Sequence, residues 1–192
     1  MVLLGRISKS KGHFLLVEAM KVLREKTEKK IKIFFIGDAP DKKTEQAIKK
    51  KINACGLQKF FVFRGFQRDI SKELSDKNIM VIPSMFEPFG RIFCETAEAK
   101  LPAIVANSGG LGELSKEFDL GVTFEGNDPD DLAEKLIYVM DNYGSMISDF
   151  ETNAKDMLQR LNMEAYIRHI EGILINAINK KASSLEWFGT KN

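Results

Sequence analysis

The chain has 192 residues, 44% apolar and 29% charged, which is enough for one domain with a sizeable core and short for two. Its 29 basic and 27 acidic residues leave a net charge of +2, so composition makes no electrostatic case for a nucleic-acid binder. Cys55 and Cys94 stand far apart with no CxxC or zinc spacing, and no apolar run nears the roughly 18 residues of a membrane span; a reducing, cytoplasmic setting is expected.

Met1–Leu4 is apolar, but Arg6 follows at once, which is not a signal-peptide layout. The segment reads as a strand entered abruptly and is expected to mark a fragment boundary. Val2–Gly5 is the first of six short apolar runs. The others are Ile31–Gly37, Phe60–Gly65, Ile79–Pro83, Ala103–Ala106 and Gly121–Phe124. Most are continuously apolar, the pattern of strands buried on both faces of a parallel sheet.

Helical patterns fill the gaps. Over Gly12–Glu28, Leu16, Ala19, Met20 and Leu23 share one face. Lys43–Ala54 is more polar, and its basic run at Lys49–Asn53 reads as a solvated face. Asp69–Asp76 is short. Phe89–Ala99 opens at Gly90, and Pro129–Met140 follows Asp128, an N-cap with proline at N1. The alternation predicts an α/β, Rossmann-like doubly wound parallel sheet. Beyond Met140 the strand signals stop. Met146–Arg160 and Met163–Lys180 are predicted helices, the latter with a stripe of Tyr166, Ile170, Ile173, Leu174 and Ala177. One domain is expected over residues 1–181, with a loose tail over 182–192.

In open α/β sheets, ligands bind beyond the carboxyl ends of the strands, where strand order reverses. The loop after the first strand, Gly5–His13, offers Arg6, Lys9 and Lys11 ahead of a helix N-terminus. Free N–H groups and a positive dipole end attract phosphate there, though a solvated loop explains the cations as well. Neither a Walker A sequence nor GxGxxG is present, against a nicotinamide or flavin enzyme. The loop after the fourth strand, PSMFEPFGRIFCE, carries Glu87 and Glu95 with seven residues between them. Two carboxylates flanking an anion cradle suit the hydroxyls of a sugar nucleotide. A helix cap and a surface charge explain them equally.

These motifs together resemble the C-terminal domain of retaining glycosyltransferases of the glycogen synthase and sucrose synthase type, family 4 above all, whose enzymes have the two-domain GT-B fold. The likeness covers about Val2 to Met140. It rests on order: GR, then KG five and six residues after Arg6, then PSxxEPFG, the Glu87/Glu95 pair, and NSGGLGE. The resemblance implies that Arg6 and Lys11 grip the donor diphosphate. Glu87 would touch the transferred sugar, Phe89 and Gly90 would contact sugar and phosphate, and Glu95 would bind the ribose. Arg64, Gly65 and Phe66 are candidates for the base. Lys100 departs from the family, which has glycine there.

The implied reaction is metal-independent transfer, with retention, of a sugar from a nucleotide diphosphate to an unknown acceptor. No cofactor is implied; the substrate is a nucleotide-diphosphate sugar, a UDP-sugar first. The partners are that donor and an N-terminal acceptor domain absent from this chain, with peripheral membrane association open through that domain and no nucleic acid. Polysaccharide and glycolipid biosynthesis are both open. Alternatives on the same fold are a sugar-nucleotide epimerase, a phosphorylase and a non-catalytic sugar-nucleotide-binding module; the surroundings of Lys100 do not match a pyridoxal-phosphate lysine. The isolated domain is expected to bind nucleotide and transfer nothing. His13 reads either as a phosphate contact or as a solvent-facing first-turn histidine, and His169 as a surface residue. The glycines of Ser108–Glu113 either approach a ligand or form a tight turn into a helix. Met80, Met140, Met146, Met157 and Met163 read as core filling.

Overall fold

A computed structural model describes residues 1–85, 87 and 91–186, with side chains described except at 163, 166 and 179–186. Six strands form one parallel sheet: β1 (Val2–Leu4), β2 (Ile33–Ile36), β3 (Phe61–Gly65), β4 (Met80–Ile82), β5 (Ala103–Ala106) and β6 (Val122–Phe124). Their order is β3-β2-β1-β4-β5-β6, so the order reverses between β1 and β4. This is the doubly wound α/β sheet that the sequence predicts, with each strand inside its apolar run. The helices are α1 (His13–Lys26), α2 (Lys42–Ala54), α3 (Ile70–Leu74), α4 (Arg91–Glu98), α5 (Gly109–Glu117), α6 (Pro129–Asp141), α7 (Tyr143–Arg160) and α8 (Met163–Glu186). A 3-10 turn at Gln58–Phe60 leads into β3.

Successive strand residues point to opposite faces, and both faces are covered. Leu3, Phe35, Val81, Ile104 and Phe124 join a core with Leu16, Met20 and Leu23 of α1, Ile48 and Ile52 of α2, and Leu132 and Leu136 of α6. Val2, Ile36, Met80, Ile82 and Val105 are buried outside that cluster, as are Leu74 of α3, Phe93 of α4 and Leu111 of α5. Each such side chain contributes about 1.5–3 kcal/mol on leaving water. Helix starts follow their caps. Asp41 accepts from the Lys43 amide at 2.9 Å, and Asp128 from Asp130 and Asp131 at 2.9 and 3.0 Å, with Pro129 at the start of α6. Each cap is worth about 1 kcal/mol.

The chain divides into two compact units, Met1–Lys155 and Asp156–Asn192, where the sequence suggests one domain to residue 181. One expectation about the second unit needs correction. The tail expected from residue 182 begins as helix, since α8 runs to Glu186. Residues 182–186 contain neither glycine nor proline, so nothing in the backbone stops the helix. On the predicted stripe of α8, Ile173 is 51% and Leu174 57% exposed. Periodicity marks an amphipathic face but not what covers it. No helix among the described residues is long and apolar enough to cross a membrane. His169 is exposed as expected. Met80 and Met157 are buried and Met140 and Met146 half-buried; the Met163 side chain lies outside the described set.

Candidate functional site

Loops at the carboxyl ends of β1, β2, β3 and β4, with the first turns of α4, line a cleft of about 530 Å³. The walls include Gly5, Arg6, Lys11, Gly37, Asp38, Phe66, Gln67, Glu87, Arg91 and Glu95. The site sits at the reversal of strand order, as open α/β sheets require.

The loop from Gly5 to Gly12 is anchored from below. Ile7 is buried and its amide donates to the Asp38 carbonyl at 2.9 Å. The Gly5 amide donates to the Ile36 carbonyl at 2.8 Å, which ties the loop to β2. The loop is tied to the segment after β4 by the Met85 amide, which donates to the Ser10 carbonyl at 3.0 Å. Gly12 makes the tightest junction. It has φ +77°, and a side-chain carbon there would stand 2.2 Å from the Pro83 carbonyl oxygen. Only glycine meets both demands, the left-handed backbone and the close approach.

Five of the predicted residues meet in the cleft. Arg6 is exposed and makes no hydrogen bond or ion pair among the described residues. The Lys11 ammonium donates to Glu87 Oε2 across 76 positions of sequence. Glu95 faces the cleft from α4 and pairs with Arg91 at 3.3 Å. Phe66 lines the cleft and is 69% exposed. Lys9 is exposed and does not line the cleft.

Other candidates stand elsewhere. Arg64 forms a two-pronged pair with Glu73, Nε to Oε2 at 3.0 Å and Nη2 to Oε1 at 2.7 Å, and is not on the cleft wall. That bond and charge hold the guanidinium above and the Glu73 carboxyl below their ordinary ranges. Gly65 contributes its carbonyl to the Gly37 amide at 2.9 Å and so braces the loop after β2. Phe89 and Gly90 lie outside the described residues. The glycines after β5 open α5 behind Ser108, whose hydroxyl donates to the Ser84 carbonyl at 3.2 Å.

His13 fits neither expectation. It is fully buried at the start of α1, with its ring 4.8 Å from that of Phe35. Its Nδ1 lies 3.2 Å from the Ser8 carbonyl, and Nε2 has no partner. Burial lowers its pKa to about 4, so the ring is neutral and Nδ1 carries the donated proton. Gly12 turns this side chain under the loop, a consequence that helix spacing alone does not reveal.

Asp38, Gln67, Ile70, Arg91 and Ile92 also line the cleft and were not singled out from sequence. Their signal was positional: each follows a strand's carboxyl end or opens the helix after it. Arg91 was legible as the partner of Glu95 four residues on. Cys94 is half-buried, and burial with Glu98 and Glu95 pushes its thiol pKa up, which suits no nucleophile. Among the described residues, no three of His, Cys, Asp and Glu gather closely enough to hold a metal ion.

The arrangement sets cations, carboxylates and an aromatic ring around one cleft. The chain as a whole is similar to known proteins. An uncharacterized glycosyltransferase of Methanocaldococcus jannaschii is 28% identical over 162 residues, covering 83% of this chain and 40% of that protein. The Anabaena protein Alr3699/HepE, solved with UDP, matches at 21% identity and a TM-score of 0.80, covering 91% of this chain and 48% of that one. The C-terminal domain of a glycosyl transferase group 1 protein (LpcC) from Francisella tularensis matches at 25% identity and a TM-score of 0.71, covering 83% of this chain and 84% of that one. The chain spans about 40% of the length of curated relatives it matches. The family model for glycosyl transferases group 1 matches residues 1–157, and the chain belongs to that family.

Proposed function

We propose that this chain is the donor-binding part of a retaining, metal-independent glycosyltransferase of family 4, which moves a sugar from a nucleotide diphosphate to an acceptor. One observation carries the reading: Arg6 and Lys11 from the loop after β1, Glu87 from the loop after β4 and Glu95 from α4 line one cleft where strand order reverses. Arg6 and Lys11 take the diphosphate. They stabilise the charge that grows on it as the bond to the sugar breaks, the kind of preorganised stabilisation that contributes most to catalysis. Glu87 accepts from hydroxyls of the sugar and Glu95 from those of the ribose. Phe66 offers a face for the base. UDP is the favoured nucleotide, supported by the Anabaena neighbour solved with UDP and with UDP-glucose.

The isolated chain binds donor but transfers nothing, because the acceptor side of the cleft belongs to a further domain. Calorimetry of the chain against UDP, GDP and ADP tests the binding. Micromolar to millimolar UDP affinity, unchanged by EDTA, is the expected result. A requirement for divalent metal would overturn the metal-independent reading, and Arg6→Ala and Lys11→Ala variants with unaltered affinity would overturn the assignment of the cations. Retention is tested in the whole protein by proton NMR of the product's anomeric centre.

A further inference from the structure

We propose that the Lys11–Glu87 ion pair is a latch: the ammonium that takes the donor's diphosphate holds the carboxylate that takes its sugar, and only a diphosphate releases it. The inference rests on the donor-cleft reading and adds an order of recognition to it.

The pair is built by the fold. Lys11 and Glu87 come from loops 76 positions apart, and their side chains are 29% and 18% exposed. The Lys11 loop is held independently of the pair. The Lys11 amide donates to Ser8 Oγ at 3.3 Å, and the Ser10 carbonyl beside it accepts from Met85. Behind Glu87 stands Gly109 with φ +57°; a side-chain carbon there would lie 3.2 Å from the Glu87 carbonyl oxygen. The second pair in the cleft differs. Arg91 and Glu95 are one helical turn apart at 3.3 Å, and Arg91 is 90% exposed, so solvent screens that contact. Glu95 is thus open to a ribose from the outset, and Glu87 is not open to a sugar.

The charges fix the sequence of events. Arg6, Lys11 and Arg91 balance Asp38, Glu87 and Glu95 on the cleft wall. Arg6 has no partner among the described residues, so an arriving diphosphate meets it first. The diphosphate then competes with Glu87 for Lys11. Once Lys11 turns to the phosphates, the freed carboxylate accepts from sugar hydroxyls. A sugar without a diphosphate finds Glu87 occupied, and a diphosphate without a sugar must break the pair with nothing gained from Glu87.

The sign of one measurement separates this from a simple cradle. Glu87→Gln keeps size and removes the charge. The latch predicts that this variant binds UDP about 3- to 10-fold more tightly than the unaltered chain, the scale of a partly screened ion pair. If Lys11 instead spans Glu87 and the diphosphate with its three N–H donors, the variant binds UDP equally or more weakly, and the latch is overturned. Binding of UDP-glucose relative to UDP reads the sugar contact separately; that preference is expected to fall in Glu87→Gln. The wider reading has its own control. A chain that binds none of UDP, GDP and ADP, or an Arg6→Ala variant that binds as the unaltered chain does, overturns the donor cleft and the latch with it. Tight UDP binding, weakened in Arg6→Ala and unchanged in Glu87→Gln, overturns the latch alone.

Discussion

The two ends of the parallel sheet are both hollow, yet they are built differently. At the amino ends of the strands lies a cavity of about 810 Å³, lined by Lys30, Lys32, Lys59, Lys77, Phe34 and Phe60 among others. It is larger than the cleft of about 530 Å³ at the carboxyl ends. Three of these four lysines are already engaged. The Lys77 ammonium pairs with Asp76 and sits 4.4 Å over the Phe34 ring, Lys32 donates to the Lys59 carbonyl at 2.6 Å, and Lys59 stands 5.1 Å from the Phe60 ring. At the carboxyl end, Arg6 is unengaged among the described residues and the carboxylates face the cavity. The amino end is the larger and the more basic; the carboxyl end is the one that sets cations and carboxylates together around one cleft.

The comparison breaks first on backbone. The carboxyl-end loops are locked by close approach at Gly12, so Gly12→Ala sets a left-handed φ against a 2.2 Å contact with Pro83. A loss of about 3 kcal/mol or more is expected in urea unfolding. Full stability in that variant would mean that the two site loops are not interlocked.

Beneath the same loop, His13 should make stability depend on pH. Its pKa is held down to about 4 by burial, against 6.5 when exposed. Between those values the unfolded chain binds more protons, so stability falls as pH drops from 6.5 toward 4 and is flat above 6.5. The whole effect is about 3 kcal/mol, with about 2 kcal/mol lost between pH 7 and pH 5. His13→Phe keeps the packing on Phe35 and should flatten the profile over that window. An equal slope in both proteins would show that this histidine is not the buried neutral group.

Ligand binding compares the ends directly. Arg6→Ala should lower UDP affinity about 10- to 100-fold, since hydrogen bonds to charged groups are worth about 1.5–3 kcal/mol, while leaving stability within about 0.5 kcal/mol. Lys59→Ala at the opposite end should change UDP affinity less than about 2-fold. Equal losses at both ends, read by calorimetry, would locate binding by bulk charge and not by the cleft.

Much of this was legible in the sequence because the informative features were local. Continuous apolar runs at Ile33–Ile36 and Ala103–Ala106 give buried parallel strands, and Asp128-Pro129 gives the start of α6. Arg6, Lys11, Glu87 and Glu95 were legible as an ordered set, because motif order carries what no single loop does. The rest depended on three-dimensional neighbours. That Lys11 meets Glu87, that Arg64 is taken by Glu73, and that His13 lies under its loop each join groups that the chain does not put side by side. The stripe on α8 shows the same limit: it fixes which side of a helix seeks cover, and nothing in it names the cover.

The smallest effect tests the amino end, where the backbone tolerates what the carboxyl end does not. Lys100 closes α4 ahead of β5 with φ +56°. The amides of Lys100 and Leu101 donate to the carbonyls of Ala97 and Thr96 at 3.0 and 3.1 Å, the pattern of a helix ending in a left-handed residue that glycine favours. Unlike Gly12, Lys100 is exposed, and its side chain reaches only Glu151 at 3.8 Å in an exposed pair worth little. Strain in the backbone therefore outweighs the lost contact. Lys100→Gly should stabilise the chain by about 1 kcal/mol, less the chain entropy that glycine adds to the unfolded state. UDP affinity should not move. A destabilised Lys100→Gly chain would mean that the left-handed residue is held by contacts of its own, and the amino end would then be as tightly specified as the site.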